Sequence, residues 1–344
     1  MAKQLSDTRP NRAAKPDGPA PLRRERDSSA RNATPESTTS ETERLAEGVI
    51  ASDVRVLGRV LSMVDDRNPA ARPLLKRLFN RTGRAHIVGI TGSAGTGKSS
   101  LIACLTTELR QRKKTVGILT VDPTSPFSGG ALLGDRIRMR EHFLDRGVFI
   151  RSLATRGSHG GLSHSAYEAA QVLDAAGNDY ILIETIGVGQ DQIDIRHVAS
   201  TVVLVVAPES GDEIQAMKAG TMEAFDVLVI NKADLPGAEE LFLNLHGAFG
   251  DRHVPMIKTS TVTNAGVPAL LDEIERHQAT DAAARERDID GSRRQLLALL
   301  EEGVIRKLNE KVGSGPIESW ARKIAERESD PYTAAEAILE SLKF

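Results

Sequence analysis

A glycine-rich segment is the first part of the chain whose residue types and spacing could carry out chemistry. Residues 92–99 read GSAGTGKS and match the pattern G-x-x-x-x-G-K-[ST], between a β-type run and an apolar helical run. Glycines let backbone N–H groups curl around a polyphosphate at a helix N-terminus, where the helix dipole favours negative charge. Lys98 is predicted to reach the β- and γ-phosphates, and the Ser99 hydroxyl to coordinate Mg²⁺. The predicted phosphate-binding residues are Gly92, Ser93, Ala94, Gly95, Thr96, Gly97, Lys98, Ser99 and Ser100.

A second motif, far downstream, could read the base of a nucleotide. The tetrapeptide NKAD at residues 231–234 follows the apolar run VLVI, and Ser260-Thr261 follow the run VPMIK and one further threonine. An aspartate at a strand end can accept hydrogen bonds from the ring N–H and exocyclic amine of guanine, a donor pair that adenine lacks. The alternative is an ordinary strand exit, where Asn and Asp are favoured. Because a phosphate loop precedes this motif, we expect GTP rather than ATP, with the base near Asn231, Lys232, Asp234, Ser260 and Thr261.

Several oxygen-bearing side chains are candidates to hold a metal ion beside the phosphates. Glu184 ends the run YILIE, Asp122 ends a second β-type run, and Asp135 lies in the stretch SGGALLGDRIRM. Asp-Pro and Gly-Asp are also common turn sequences, so Asp122 and Asp135 retain a purely structural alternative. Carboxylate and hydroxyl oxygens suit Mg²⁺, which Glu184 would hold through water. The predicted metal ligands are Ser99, Asp122, Asp135 and Glu184.

The sequence predicts slow hydrolysis. The Gly187 amide could approach the γ-phosphate, but Val188 follows it where small GTPases carry a glutamine that orients the attacking water. Gln190 and Lys218 are the remaining candidates, each with the alternative of being a solvated loop residue. A low intrinsic rate suits a regulator better than a metabolic enzyme. The predicted catalytic residues are Lys98, Glu184, Gly187 and Lys218.

The elements that position these residues alternate regularly along the middle of the chain. Short β-rich runs alternate with helical stretches, which is typical of a mostly parallel sheet with helices on both faces. A run such as VVLVV, apolar throughout, fits a strand covered on both sides. We therefore expect an α/β fold of the P-loop NTPase type. The predicted strands are Ile87–Thr91, Val116–Val121, Val148–Leu153, Tyr180–Thr185, Val202–Ala207, Val227–Asn231 and Val254–Lys258.

Helical segments are predicted on both sides of this region. Between Thr42 and Arg81, apolar residues recur at spacings of three and four, which indicates two or three amphipathic helices. Beyond Asp281 the β-type runs stop, and an apolar stripe marks one long helix through Leu297, Leu300, Val304 and Leu308. Residues 1–40 lack Val, Ile, Phe, Tyr and Trp, so we expect disorder, and their acidic residues argue against a transit peptide. The predicted domains are a tail (1–40), an N-terminal helical segment (41–84), a GTPase domain (85–278) and a C-terminal helical arm (279–344).

Composition excludes several classes of function. The chain of 344 residues has 45 basic and 47 acidic residues, a formal charge of −2, which argues against general binding to nucleic acid or membrane surfaces. Its one cysteine, Cys104, excludes an internal disulfide framework, a four-thiolate zinc site and an iron–sulfur site, and fits a reducing compartment. The longest strongly apolar run, Val202–Pro208, is far shorter than the ~20 residues that span a bilayer. We therefore expect a cytoplasmic protein.

Taken together, the motifs resemble those of one known family. The segments GITGSAGTGKSSL, VDPTSPFSGGALLGDRIRM, ETIGVGQ and NKAD are similar to the MeaB/ArgK family of SIMIBI-class GTPases, from about residue 45 to the end of the chain. Members act as chaperones of adenosylcobalamin-dependent acyl-CoA mutases, typically methylmalonyl-CoA mutase. The resemblance implies GTP or GDP and Mg²⁺ as ligands, bound by the residues named above.

The resemblance also implies how partners are engaged. Residues 211–218 would form a third switch that meets the mutase, with Lys218 coupling it to the nucleotide. The C-terminal helices would form a homodimer, the alternative being that their apolar stripe packs on its own GTPase domain.

Two rival functions remain open. A metal-delivery GTPase, as in hydrogenase or urease maturation, needs a cluster of soft or imidazole ligands, and the chain offers Cys104 and eight scattered histidines, with His159 and His164 the closest pair. A kinase of a basic-amino-acid (LAO/AO) transport system would need a protein acceptor, and no segment is predicted to bind one.

Overall fold

The computed structural model describes residues 35–122, 139–154, 164–185, 195–208, 225–249, 254–280, 284–312 and 314–341. The chain divides into two compact units between residues 41 and 42. All elements below belong to the second unit except the beginning of the first helix.

Seven parallel strands form the sheet of the described residues, in the order β3-β2-β4-β1-β5-β6-β7. The central strand β1 lies between β4 and β5, with Val88 opposite Leu182 on one side and Thr201 on the other. Each predicted β-rich run contains a strand, so the predicted α/β fold is confirmed. The strands are β1 (His86–Thr91), β2 (Val116–Asp122), β3 (Val148–Ala154), β4 (Tyr180–Glu184), β5 (Thr201–Val206), β6 (Val227–Ile230) and β7 (Met256–Lys258).

The apolar runs form strands because both faces of the sheet are covered. Along β5, Val202 and Leu204 belong to one buried core, whereas Val203 and Val205 belong to the other. Successive side chains of a strand point to opposite faces, so a strand covered on both sides is apolar throughout.

Helices supply the other half of each core. Helices α4 and α7 pack on one face of the sheet, and α2, α3, α5 and α6 pack on the other. The N-terminus of α2 is fixed by Asp53, whose carboxylate accepts hydrogen bonds from the backbone N–H groups of Arg55 and Val56. The helices are α1 (Pro35–Ile50), α2 (Val54–Asp65), α3 (Ala71–Leu78), α4 (Lys98–Gln111), α5 (His164–Ala175), α6 (Ala238–Phe249) and α7 (Val267–Thr280).

The first helix begins earlier than predicted. Helix α1 starts at Pro35, within the segment 1–40 for which we expected disorder. Proline is favoured at the first helical position because its fixed φ suits a helix and its missing N–H is not needed there. Composition alone does not reveal that the apolar face beyond residue 42 extends this helix backwards.

Among the described residues three helices lie beyond residue 281, where the loss of β-type runs predicted helical structure. They are α8 (Ala284–Val312), α9 (Ser314–Ala325) and α10 (Pro331–Ser341). Leu297, Leu300 and Val304 of α8 are 52%, 54% and 42% exposed, so this part of the predicted apolar stripe is open in the single chain. No helix among the described residues is long and apolar enough to cross a membrane.

Candidate nucleotide-binding site

The phosphate loop connects the C-terminal end of β1 to the start of α4, where ligands of open α/β sheets bind. Gly92 has a φ of 139°, and a Cβ there would lie 2.1 Å from the Val205 carbonyl oxygen. Gly97 has a φ of 90°, and a Cβ there would lie 2.4 Å from Asn231 Nδ2. Larger residues would therefore clash with β5 and with the downstream NKAD motif, which explains glycine at both positions.

The Lys98 ammonium group lies within the curve of this loop. Its Nζ donates hydrogen bonds to the carbonyl oxygens of Gly92 and Ser93, each at 2.8 Å, and the residue is 6% exposed. The Thr96 hydroxyl also donates to the Ser93 carbonyl, at 3.0 Å. The loop therefore holds a positive charge beside the N-terminus of α4, an arrangement suited to a polyphosphate.

Two of the predicted metal ligands meet beside the loop. Ser99 Oγ donates a hydrogen bond to Glu184 Oε1 at 2.6 Å, and both residues are buried. A hydroxyl from the start of α4 and a carboxylate from the end of β4 form an oxygen donor set that suits Mg²⁺. Asp122 ends β2, which pairs with β4, so its backbone lies at the same edge of the sheet. The side chain of Asp122 and the whole of Asp135 lie outside the described residues, as do Gly187, Val188, Gln190 and Lys218.

A pair of buried threonines, which the sequence analysis missed, fixes the exit of β4. Thr185 Oγ1 donates to Thr91 Oγ1 at 3.0 Å, and the Thr185 N–H donates to the Ile90 carbonyl at 3.1 Å. These bonds set the direction of the chain immediately after Glu184. A polar residue at the end of each of two apolar strands was the available signal.

Asn231 joins the two nucleotide motifs. It is fully buried, its Nδ2 donates to the Thr96 carbonyl at 2.8 Å, and its Oδ1 accepts from Thr259 Oγ1 at 3.1 Å. The phosphate loop and the base loop are thus hydrogen-bonded to one side chain. The structure gives Asn231 a holding role between the loops, while Lys232, in the left-handed region at φ 56°, turns the chain toward the ligand edge.

Asp234 is the exposed member of the motif. Its Oδ1 accepts a hydrogen bond from Ser260 Oγ at 2.5 Å, so the two predicted base-binding segments meet. The Ala233 N–H donates to the Thr259 carbonyl at 2.9 Å, which fixes the turn. The exposed Asp234 carboxylate, oriented by Ser260, can therefore accept hydrogen bonds from the ring N–H and exocyclic amine of guanine.

The base loop is also attached to α4, through residues that the sequence analysis did not select for this role. Asn264, at φ 59°, donates to Glu108 Oε1 at 2.7 Å. Cys104 Sγ donates to the Thr261 carbonyl at 3.7 Å. Burial, and next the carboxylates of Glu141 and Glu108, raise the pKa of the Cys104 thiol, which keeps it protonated as a donor. The helix that follows the phosphate loop therefore also supports the base loop.

The opposite edge of the sheet is closed by a chain of hydrogen bonds. Thr201 Oγ1 contacts His86 Nε2 at 2.8 Å and His277 Nδ1 at 2.9 Å, and His277 Nε2 lies 3.3 Å from Asp226 Oδ1. Burial, and next the charge of His277, lower the pKa of His86 to about 4. Burial alone would raise the pKa of Asp226, but hydrogen bonds from His277, Arg196 and the Val202 N–H lower it overall. This series of hydrogen bonds attaches α7 to the N-terminal ends of the strands, away from the nucleotide motifs.

Comparisons with known proteins agree with this geometry. A family model described as methylmalonyl Co-A mutase-associated GTPase MeaB matches residues 57–313. A Pyrococcus abyssi protein named as a GTPase is 39% identical over 312 residues, covering 87% of this chain and 96% of its own. A Caenorhabditis elegans protein named methylmalonic aciduria type A homolog, mitochondrial, is 37% identical over 207 residues, covering 56% of this chain and 52% of its own.

Among solved structures, one described as a LAO/AO transport system kinase aligns with a TM-score of 0.63 and 18% identity, over 89% of this chain and 98% of that chain. At this identity the likeness shows the fold alone. The family match covers most of the chain and includes both nucleotide motifs, which confirms the resemblance drawn from the motifs. The chain is a GTPase and belongs to the MeaB family of methylmalonyl Co-A mutase-associated GTPases.

Proposed function

We propose that the chain is a GTP-hydrolysing chaperone that gates cofactor loading of an adenosylcobalamin-dependent acyl-CoA mutase and protects that mutase. The observation that carries the proposal is the family match over residues 57–313, whose description names methylmalonyl Co-A mutase. The name of the C. elegans relative, methylmalonic aciduria type A homolog, points to the same metabolism. The assembled phosphate and base loops supply the nucleotide cycle that such gating needs.

Magnesium belongs to the proposal as a ligand of the nucleotide site. Ser99, at the start of α4, and Glu184, at the end of β4, would hold it, and Asp122 and Asp135 are the further candidates. When bound, Mg²⁺ neutralises charge on the β- and γ-phosphate oxygens during transfer to water. Lys98 would bind the same phosphates from the loop, and the Thr91–Thr185 pair would orient the chain that leads to Gly187.

The proposal places the partner contacts outside the nucleotide site. Residues 211–218, with Lys218, would form the switch that senses the mutase. Helix α8 would contribute to a homodimer, which is supported by the exposure of Leu297, Leu300 and Val304. Each of these side chains is about half exposed, more than expected for a stripe buried on its own GTPase domain.

The rival functions gain no support. Within the described residues no three His, Cys, Asp or Glu side chains are grouped to hold a metal, and His159 and the side chain of His164 lie outside those residues. The transport-kinase description belongs to a structure that shares only the fold.

Cofactor loading tests the proposal directly. Apo-mutase is mixed with adenosylcobalamin and this protein, in the presence of GDP, GTP or a non-hydrolysable GTP analogue, and loading is followed by the visible absorbance of the cofactor. We expect the loading rate to depend on the nucleotide, and Lys218→Ala to remove this dependence. Lys76→Ala, on the exposed side of α3, is the matched control. Equal loading rates with all three nucleotides would reject gating.

A further inference from the structure

A cavity of about 470 Å³ opens at the edge of the sheet opposite to the nucleotide site. Part of its wall is formed by Ala85, just before β1, by Ile87, in β1, and by Ser200, just before β5. The phosphate loop follows the other end of β1, so the cavity is separate from the nucleotide site. Its volume falls within the ~300–1,000 Å³ that is usual for small-molecule sites.

The charged side chains in the wall of the cavity are two arginines and one aspartate. Arg84 and Arg196 line it, and Asp174 is the one carboxylate among its described lining residues. Asp174 is already committed, because its carboxylate accepts hydrogen bonds from the backbone N–H groups of Gly83, Arg84 and Ala85, the last at 3.0 Å. The cavity therefore offers an anion two guanidinium groups and no carboxylate that lacks a donor.

Both guanidinium groups have N–H groups that could donate hydrogen bonds to a ligand. Arg84 is exposed and forms no ion pair with the part of the chain that the structure describes. Arg196 uses Nη1 to bind Asp226, and a guanidinium carries five N–H donors. Planar guanidinium groups bind carboxylates through paired, parallel hydrogen bonds, which makes arginine well suited to this ligand.

The remainder of the lining suits an uncharged, partly apolar body. Phe79, which is 61% exposed, and Tyr167 contribute aromatic rings. Side-chain amides come from three different helices, at Gln171, Gln278 and Gln295. A ligand with a flat apolar part and anionic groups would match both halves of this wall.

Helix α8 forms one side of the cavity. Gly291, Ser292 and Gln295 line it, and a Cβ at Gly291 would lie 3.3 Å from the carbonyl oxygen of His197. The arm and the segment that carries Arg196 therefore approach closely here. A ligand in the cavity would contact both, and would hold the first half of α8 against the sheet edge.

We propose that this cavity binds a small organic dicarboxylate with an apolar body, anchored by Arg84 and Arg196. The site is independent of GTP and of the mutase, so it extends the proposed function without resting on it. Its occupancy would stabilise the position of α8.

Phthalate, a rigid aromatic dicarboxylate, is the probe. Isothermal titration calorimetry is carried out on the full chain saturated with GDP and Mg²⁺, so that the nucleotide site is filled. Phthalamide, which has the same shape without the charges, is the ligand control. Arg84→Gln removes one anchor, and because the Arg84 contact that supports the fold is made by its backbone N–H, the variant is expected to fold. Arg55→Gln, an exposed change on α2, is the matched control.

We expect phthalate to bind in a 1:1 complex, phthalamide not to bind, and Arg84→Gln to weaken phthalate binding about tenfold, as expected for loss of a charged hydrogen-bond partner. Arg55→Gln should bind like the wild type. Hydrogen exchange should slow in the cavity-lining segments, including the first half of α8. No saturable binding, equal binding of phthalamide, an unchanged affinity of Arg84→Gln, or protection at the phosphate loop instead would each overturn the proposal.

Discussion

Replacing Asn231 by alanine is expected to weaken nucleotide binding through the phosphate loop and not through the base. The side chain is fully buried and bonds the Thr96 carbonyl at 2.8 Å and the Thr259 hydroxyl at 3.1 Å. A buried polar group left without a partner costs about 1–3 kcal/mol. Two groups lose a partner here and water can enter the space, so we expect the free energy of unfolding to fall by about 3 kcal/mol.

A ligand without a base separates the two possible roles of Asn231. Affinity is measured by calorimetry for GTP and for tripolyphosphate, in wild type, in Asn231→Ala and in the exposed control Asn244→Ala. We expect Asn231→Ala to weaken both ligands about tenfold, which corresponds to ~1.4 kcal/mol. Asn244→Ala should change neither affinity.

The opposite result would be wild-type tripolyphosphate binding by Asn231→Ala together with a weaker affinity for GTP. That result would mean that Asn231 reads the base and that its bond to the phosphate loop contributes nothing to binding. An unchanged free energy of unfolding would likewise show that the two buried hydrogen bonds are not needed.

Three further changes test separate parts of the account. Asp234→Asn should lower GTP affinity sharply, favour xanthosine triphosphate and leave tripolyphosphate binding unchanged; retained GTP preference would contradict the base-loop assignment. Asn264→Gly tolerates the left-handed backbone but removes the hydrogen bond to Glu108, so GTP binding should weaken a few-fold. Asn264→Ala removes the same bond and also strains the backbone, so its free energy of unfolding should be about 1 kcal/mol below that of Asn264→Gly. Because the pKa of His86 is about 4 when folded and near 6.5 when unfolded, the unfolded chain takes up a proton first and stability falls as the pH drops. The wild type should lose about 2 kcal/mol from this residue between pH 7 and pH 5, and denaturant titrations of His86→Gln should lack that part of the loss.

The sheet could be predicted from the sequence because its signal is local. Runs such as Val202–Val206 are apolar at every position, and each run of this kind contains a strand of the sheet. The phosphate loop could also be predicted from the sequence, because its glycines meet a local requirement for backbone room at Gly92 and Gly97. The start of α1 at Pro35 could not be predicted, since a polar segment can extend a helix whose apolar face lies further along the chain.

The contacts that assemble the site could not be predicted, because they join residues far apart in sequence. Asn231 and Thr96 are 135 positions apart, and Ser99 and Glu184 are 85 positions apart. The motif identifies each side chain, but only the packing of β1, β4 and β6 shows which of them meet. The hydrogen-bonded series from His86 to Asp226 likewise has no sequence pattern, since His86 and Thr201 begin two strands, Asp226 precedes a third, and His277 lies in the last turn of α7.

Turnover of GTP by the purified full chain, alone and with adenosylcobalamin-dependent acyl-CoA mutases, is the decisive measurement of the proposed function, with ATP as the control nucleotide. We expect slow hydrolysis of GTP by the protein alone, faster hydrolysis with one mutase, and no turnover of ATP. A GTP rate that no mutase changes would contradict the proposed chaperone role, and equal turnover of ATP would contradict the guanine-reading site.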